Sequence, residues 1–524
     1  MSGLAAKDVL ALESHLQRLR RAAEWQLRRE RDAAISTNGP PVASPAKERL
    51  KSLLQYVCVL PVLAVLLLTA GCRVQESPAP PSGLARAKVE TQPVAGGPTV
   101  LRSGITLRKV LGVGGGNIKL ARNPADGKLY FLHPTNGLFR VDLTAPAKAD
   151  KVQAKKDIVA DGDPAGMAFG PDGTLYVTVN KKVGTKQTQA IVRRGKPNAS
   201  GAFDWQTVST TEPYQLSNTN FDHLVNGITV SPDGKWLYYN SGSRTDHGEV
   251  ETNGLTFPDL REVPLTSAIF RVPADATNLT LPADEAALKP YMFADGTRNA
   301  FDLKFAPNGD LIAVDNGPDA DYPDELNWIR EGQHYGFPWR FGAQDNPQRS
   351  PDYDPMKDHR LSTDFVAVKN GTYRNDPGFP KPPVAQFTDP IANLGPDAAQ
   401  YRSDDGQQHD AGAESKPLNT FTPHRSPLGL AFITGDKMPS DLRGDGNNTL
   451  TAFLTSWGAA GGTLQDKGQD LLYLKLNKRG DNYEAATTQI ARGFKNPIDT
   501  ALIDNHLYVL EFGDAGSIWE LTFE

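Results

Sequence analysis

One pattern recurs along most of this chain and restricts its fold more than any other feature. It is an apolar strand-like run, a Pro/Asp/Gly turn, and a second run of the Leu-Tyr-Val type. The clearest copies are "GMAFGPDGTLYVT" (166–178), "GITVSPDGKWLYYN" (227–240) and "DLKFAPNGDLIAVD" (302–315). Weaker copies are "LARNPADGKLYFLH" (120–133), "GLAFITGDKM" (429–438) and "DTALIDNHLYVLEF" (499–512). In the clear copies Pro suits the first turn position and Gly a position that needs positive φ. The flanking alternation has period two, so each copy reads as a β-hairpin. Such turns occur singly in every β protein, but six copies in one chain are a repeat. Their wide spacing is too great for a sandwich and fits one hairpin per four-stranded blade. The expectation is an all-β chain: a six-bladed β-propeller over residues 100–524. The segment 345–423, rich in Pro, Asp and Gly, is expected to form long loops on one face around a weakly marked blade.

Composition agrees with a turn-rich β protein that has a real core. There are 48 Gly and 40 Pro, and hydrophobic residues make up 39% of the chain. The two cysteines, Cys58 and Cys72, sit in or beside the one strongly apolar run, "YVCVLPVLAVLLLTAGC" (56–72). That run has the length of a signal-peptide core and is short for a membrane span. Lys47, Arg49 and Lys51 precede it, and its end, "LLTAGC", resembles the lipobox of bacterial lipoproteins. The N-terminal organisation expected is therefore a basic extension (1–52), a signal- or lipobox-like segment (53–72) and a Pro-rich linker (73–99). The extension is too long for an ordinary signal peptide. It reads either as a start set upstream of the true one or as a cytoplasmic tail on a signal anchor. Either way the expected location is the periplasm or cell surface of a bacterium, with membrane attachment through an N-terminal lipid or signal anchor. Residues 72–524 carry a net charge of about −9 and no basic run of the kind nucleic-acid binding needs.

Four stretches beside the hairpins carry candidate chemistry, since loops there should share one rim. "FDHLVNG" (221–227) places His223 beside Asp222, a possible general base with a carboxylate to orient it; the plain alternative is a solvated loop histidine. "DGTRNAF" (295–301) offers Arg298, a fixed cation suited to a carboxylate or a developing oxyanion, or else a salt bridge between blades. "NGPDADYPDELN" (316–327) is an acidic loop stiffened by Pro318 and Pro323. Carboxylates mixed with backbone carbonyls suit Ca²⁺, although the spacing is not that of an EF-hand and acidic loops are often merely solvated. Finally "FLTSWG" (453–458) and "GFKNPID" (493–499) offer the flat face of Trp457 and the cation of Lys495.

Taken together, these segments resemble the soluble PQQ-dependent sugar dehydrogenases: the glucose, aldose-sugar and sorbosone dehydrogenases. The resemblance is strongest over "GTRNAFDLKFAPNGDLIAVDNGPDADYPDELNWIREGQHYGFPW" (296–339), with "PHRSPLGLAFITG" (423–435) and "LTSWG" (454–458) similar to sorbosone-type members. It implies a six-bladed propeller, His223 with Asp222 as catalytic base, and Arg298 and Asn299 at the quinone, with Trp457 and Lys495 as further cofactor contacts. It implies cofactor calcium at the carbonyls of Gly317 and Pro318, and a separate calcium held by Glu325 and Tyr335. The activity implied is oxidation of an aldose or related polyol, an aldose giving its lactone, with electrons passed to an unidentified acceptor. This chain departs from the pattern where glucose dehydrogenases have a Gln before the first strong hairpin (here "ADGDPAG"). It also lacks the late arginine pair (here Lys495 and Asn496) and the basic segment after the fifth hairpin (here "TSWGAAGG"). Two other functions remain compatible with the scaffold: a calcium-dependent propeller lactonase or esterase, and a non-catalytic binding propeller.

Overall fold

The computed structural model describes residues 96–524 apart from 255, 459–461 and 514. The basic extension, the signal-like segment and most of the Pro-rich linker lie outside the described residues.

Six antiparallel sheets follow one another along the chain, as the repeat requires. The first contains Lys119–Arg122, Leu129–His133, Gly137–Asp142 and Lys148–Gln153. The second is built on Asp163–Phe169, Leu175–Val183, Gln187–Pro197 and Phe203–Thr211, with Leu279–Leu281 added in parallel at its outer edge. The third contains Ile228–Val230, Trp236–Ser241, Ala268–Pro273 and Met292–Asp295. The fourth has only Asp302–Phe305, Leu311–Asp315 and Glu325–Ile329. The fifth runs through Pro427–Phe432, Thr449–Ser456, Asp470–Arg479 and Asn482–Arg492. The sixth takes Pro497–Ile503, His506–Glu511 and Ser517–Phe523 from the end of the chain and Ile105–Gly112 from its beginning. That last pairing closes the circle, because Ile105 is opposite Phe523. The innermost strands touch their neighbours in an unbroken ring. The fold is the six-bladed β-propeller expected, and closure protects edges that would otherwise offer free backbone groups.

The turn chemistry explains the hairpins. Gly127, Gly173, Gly234 and Gly309 have φ of 70°, 82°, 73° and 89°, where a Cβ would be strained. Before each glycine, an Asp or Asn side-chain oxygen accepts the amide two residues on: Asp126 from Lys128, Asp172 from Thr174, Asp233 from Lys235 and Asn308 from Asp310. The fifth copy differs. Its two strands are separated by residues 433–448, so "FITGDKM" opens a long loop rather than a tight turn. The segment 345–423 forms loops with a short helix, Val366–Lys369, a small hairpin of Gln400–Arg402 and Gln408–Asp410, and a strand, Ala392–Pro396, that pairs with blade 5 instead of marking a blade of its own.

Period-two alternation sends successive residues of each strand to opposite neighbours. In blade 1, Leu129 and Phe131 pack with Leu510 and Ile518 of blade 6, while Tyr130 and Leu132 pack with Leu175 and Val177 of blade 2. Similar apolar clusters fill the remaining junctions. The innermost strands also carry charges, buried at Lys119, Asp302 and Asp499 and half-buried at Lys304. Lys119 Nζ lies 3.5 Å and Lys304 Nζ 3.3 Å from Asp302 Oδ1, and Asp499 accepts the Leu120 amide at 2.8 Å. Removing one partner from such a buried set costs about 3–5 kcal/mol, so these charges tie blades 1, 4 and 6 together at the axis.

Candidate active site

Loops that precede an innermost strand share a rim with loops that follow the second strand, opposite the Pro/Asp/Gly turns. On that rim lies a cleft of about 260 Å³, walled by His223, Arg298, Asn299, Gly317, Asp324 and His424 among others. The size is just under the roughly 300–1,000 Å³ usual for small-molecule sites. His223 enters ahead of blade 3, Arg298 and Asn299 ahead of blade 4, Gly317 from the acidic loop, and His424 ahead of blade 5.

The hydrogen bonds of His223 fix its tautomer. Its Nδ1 is 3.0 Å from Ser243 Oγ and 3.3 Å from the Ser243 carbonyl. The Ser243 hydroxyl hydrogen is already donated to Thr245 O at 2.7 Å, and a carbonyl can only accept. Nδ1 therefore carries the proton, and Nε2 keeps the lone pair. Burial and then the Arg298 cation push the imidazole pKa down to about 3, so the ring is neutral at ordinary pH. Asp222 does not orient this ring, contrary to the sequence expectation. Its two oxygens accept the Ser217 and Asn218 amides, each at 2.8 Å, and brace the loop that carries His223.

Arg298 is 7% exposed and held on three sides. Nε donates to Asp246 O and Nη2 to Asp246 Oδ1, both at 2.7 Å, and Nη1 donates to Asn316 O at 3.1 Å. Asp246 is a hub. It accepts the Asp319 amide at 3.0 Å and meets His247 Nδ1 at 2.7 Å, with Tyr373 stacked on that imidazole at 3.8 Å. Burial opposes its ionisation, but Arg298 and His247 hold its carboxyl well below the usual range. Asn299 Nδ2 reaches Asn316 Oδ1 at 3.2 Å, which links the Arg-Asn pair to the acidic loop.

The acidic loop divides its carboxylates between two sides. Asp324 faces the cleft and accepts the amides of Gly317 at 2.8 Å and Ser426 at 2.9 Å. Glu325 opens on a much smaller cavity of about 10 Å³ shared with Asp315, Gly317 and Pro318. It accepts from Gly342 N at 2.7 Å and Asn327 Nδ2 at 2.9 Å. Burial, then the facing Asp315, pushes the Glu325 pKa up to about 8. Two acids crowded into one small pocket favour a proton or a cation. The Tyr335 side chain does not share that pocket. Its hydroxyl donates to Trp328 O at 2.5 Å and accepts from Arg330 N at 2.8 Å, inside the junction of blades 3 and 4. Among the described residues, no group of three or more His, Cys, Asp or Glu side chains is arranged to hold a metal ion.

Trp457 and Lys495 are not among the cleft-lining residues. Trp457 packs on Phe512 at 4.9 Å and its amide donates to Ser426 O, so it stands just behind the wall. Lys495 is exposed. Sequence reasoning did not find Ser243, Asp246, Asp319 or His424. The first two lie in "SGSRTDHGEV" (241–250), which has no periodicity, and only a second Asp-His pair there hinted at a site.

Comparisons with known proteins agree with this architecture. The sequence profile of the Glucose / Sorbosone dehydrogenase family matches residues 157–360. Quinoprotein glucose dehydrogenase B of Acinetobacter calcoaceticus is 25% identical over 324 residues, covering 56% of this chain and 62% of that protein. The soluble aldose sugar dehydrogenase of Escherichia coli shares the fold with a TM-score of 0.51 at 16% identity, over 80% of this chain and all of that one. The PQQ domain of pyranose dehydrogenase from Coprinopsis cinerea does so with a TM-score of 0.50 at 13% identity, over 81% and 97% of the two chains. The matched segment 157–360 contains His223, Arg298, Gly317 and Glu325, and it ends before His424, Trp457 and Lys495. The resemblance to the soluble PQQ-dependent sugar dehydrogenases is thereby shown, in sequence over the matched segment and in fold over the whole propeller.

Proposed function

We propose that this protein is a quinoprotein sugar dehydrogenase that oxidises a CH–OH group of an aldose or related polyol, an aldose giving its lactone. The observation that carries the proposal is the pairing, in one cleft, of a neutral His223 whose Nδ1 is committed to Ser243 with the immobilised cation Arg298. Nε2 of His223 would accept the hydroxyl proton as the C–H bond gives up its hydride. The imidazolium formed would lie near Asp246, whose charge offsets it. Arg298, held by Asp246 and Asn316, would face negative charge developing in the cleft without having to reorganise.

PQQ, when bound, would supply the two-electron acceptor for that hydride. The donor set suits this group together with a divalent cation. Arg298 and Asn299 would face its quinone side, and the carbonyls of Gly317 and Pro318 would take Ca²⁺. A trianion alone would meet Asp319 and Asp324 in the same wall, so the cation offsets charge as well as bridging. Glu325 would hold a second, structural Ca²⁺, without the Tyr335 hydroxyl. Lys495 and Trp457 would contribute only at the margin. Attachment outside the cytoplasm through the segment ending at Cys72 belongs to the same proposal, and replacing Cys72 by Ser should abolish fatty-acid labelling.

The proposal is tested by adding PQQ and CaCl₂ to the purified protein and following dye reduction by a panel of aldoses. Reduction that needs both additions and yields a lactone supports it. Lactone hydrolysis without dye reduction would replace it with the lactonase reading. Neither reaction, with sugar bound, would leave a binding propeller.

A further inference from the structure

The cleft contains a second histidine whose surroundings are built with as much care as those of His223. His424 Nε2 lies 3.0 Å from Asp321 Oδ1. Asp321 is 3% exposed, and its other oxygen accepts from Arg402 Nε at 2.6 Å. A carboxylate paired with a guanidinium can only accept, so Nε2 of His424 carries hydrogen. Phe365 packs against the imidazole at 4.5 Å between ring centres and holds its plane. The backbone at His424 has φ of 64°, an unusual conformation for a histidine. With Nε2 committed, Nδ1 has no hydrogen-bond partner among the described residues and remains for a ligand. It accepts when the ring is neutral and donates when the ring is charged. A sugar hydroxyl satisfies either state because it both donates and accepts.

We propose that His424 is a specificity-determining residue that hydrogen-bonds a hydroxyl of the sugar other than the one being oxidised, with Asp321 and Arg402 as its positioning residues. The inference rests on the sugar-dehydrogenase reading and deepens it. Three observations favour this role over a second base. His424 comes from the loop before blade 5, whereas His223 comes from the loop before blade 3. The cation that would assist oxidation, Arg298, neighbours His223. His424 also lies outside the segment matched by the family profile, where this chain is free to differ in what it selects. A site built to hydrogen-bond a hydroxyl discriminates strongly against the analogue that lacks it, because a buried polar group is then left unpaired.

The test is calorimetric binding of methyl glycosides, which cannot be oxidised at the blocked anomeric carbon. The full-length protein is loaded with PQQ and Ca²⁺, and a parent glycoside is compared with its deoxy series. Wild type should bind one deoxy analogue about tenfold more weakly than the parent. His424→Phe keeps a flat ring without nitrogens and should bind parent and analogue alike. His424→Asn offers an oxygen near the Nδ1 position and tolerates positive φ, so it should restore most of the difference. A purely structural effect would weaken every glycoside in parallel and leave the discrimination intact, and that result overturns the proposal. So does the absence of glycoside binding to wild type. Dye reduction measured alongside separates the two readings. If wild type reduces no dye yet shows His424-dependent discrimination, the dehydrogenase reading fails and the sugar subsite stands. Normal dye reduction with unchanged discrimination in His424→Phe sinks the subsite alone.

Discussion

The dipeptide Asp-His occurs three times, at 222–223, 246–247 and 358–359, and the first two copies, both at the site, have opposite physical characters. His223 borders the cleft, and burial together with Arg298 keeps it neutral. His247 is fully buried against Asp246 at 2.7 Å and Glu249 at 3.5 Å, and although burial opposes its charge, these carboxylates raise its pKa. The aspartates differ as well. Asp222 caps backbone amides, whereas Asp246 anchors the guanidinium of the site. A two-residue motif thus specifies neither role. The groups that surround each pair decide which histidine can take a proton and which aspartate holds a cation.

Removing the anchor should give the largest effect. Asp246→Ala would leave the buried Arg298 cation without its counter-ion and His247 without its Nδ1 partner, costing about 3–5 kcal/mol. Chemical denaturation would read this directly. Stability within about 1 kcal/mol of wild type would mean that the hub is solvated and the comparison of the two pairs is wrong.

The pH dependence comes next. A base titrating at its ordinary value of about 6.5 would lose roughly thirtyfold in kcat/KM between neutrality and pH 5. With the His223 pKa near 3, the acid limb attributable to it should lie well below pH 5. The two histidines also act oppositely on stability. The depressed pKa of His223 removes stability as pH falls below the unfolded value near 6.5. The raised pKa of His247 contributes stability that is complete below that value and is lost as pH rises through its folded pKa. Replacing each by Gln should therefore alter the stability–pH curve on opposite sides. A shift of the same sign in both variants would break the contrast.

Calcium should have a smaller effect. A cation bound only by the folded state at a hundredfold excess over Kd adds about 2.7 kcal/mol, which in a propeller this large is a few degrees of Tm. EDTA should remove that increment from wild type and little from Glu325→Gln, which keeps the shape without the charge. Equal melting temperatures with and without EDTA in wild type would leave the Glu325–Asp315 pair as a proton-sharing couple. The smallest change is expected of Asp222→Asn, with kcat within about threefold of wild type, since its carboxylate does not touch His223. A loss of about a hundredfold or more would restore the sequence-based role of Asp222.

The propeller was legible because each blade repeats a local turn signal, with Gly at positive φ and an Asp or Asn oxygen on the amide two residues on. Closure by Ile105–Gly112 against Ser517–Phe523 was not, since no local pattern marks a pairing across the whole chain. In the cleft, His223, Arg298, Asn299 and Gly317 were readable from motifs that sit at hairpin ends. Ser243, Asp246 and His424 were not, because their roles arise from contacts between loops far apart in sequence. Tyr335 shows the converse. A motif placed it ten residues from Glu325, and packing turned its hydroxyl into a blade junction.

In the proposed reaction His223 removes a sugar hydroxyl proton in a PQQ-loaded cleft. Single-turnover absorption spectroscopy of the reconstituted protein mixed with aldose tests it most directly. Wild type and His223→Gln should bind PQQ equally, wild type should reduce it rapidly on mixing, and the variant should do so about a hundredfold more slowly or worse. Equal rates in the two proteins, or no spectral change in wild type, would contradict it.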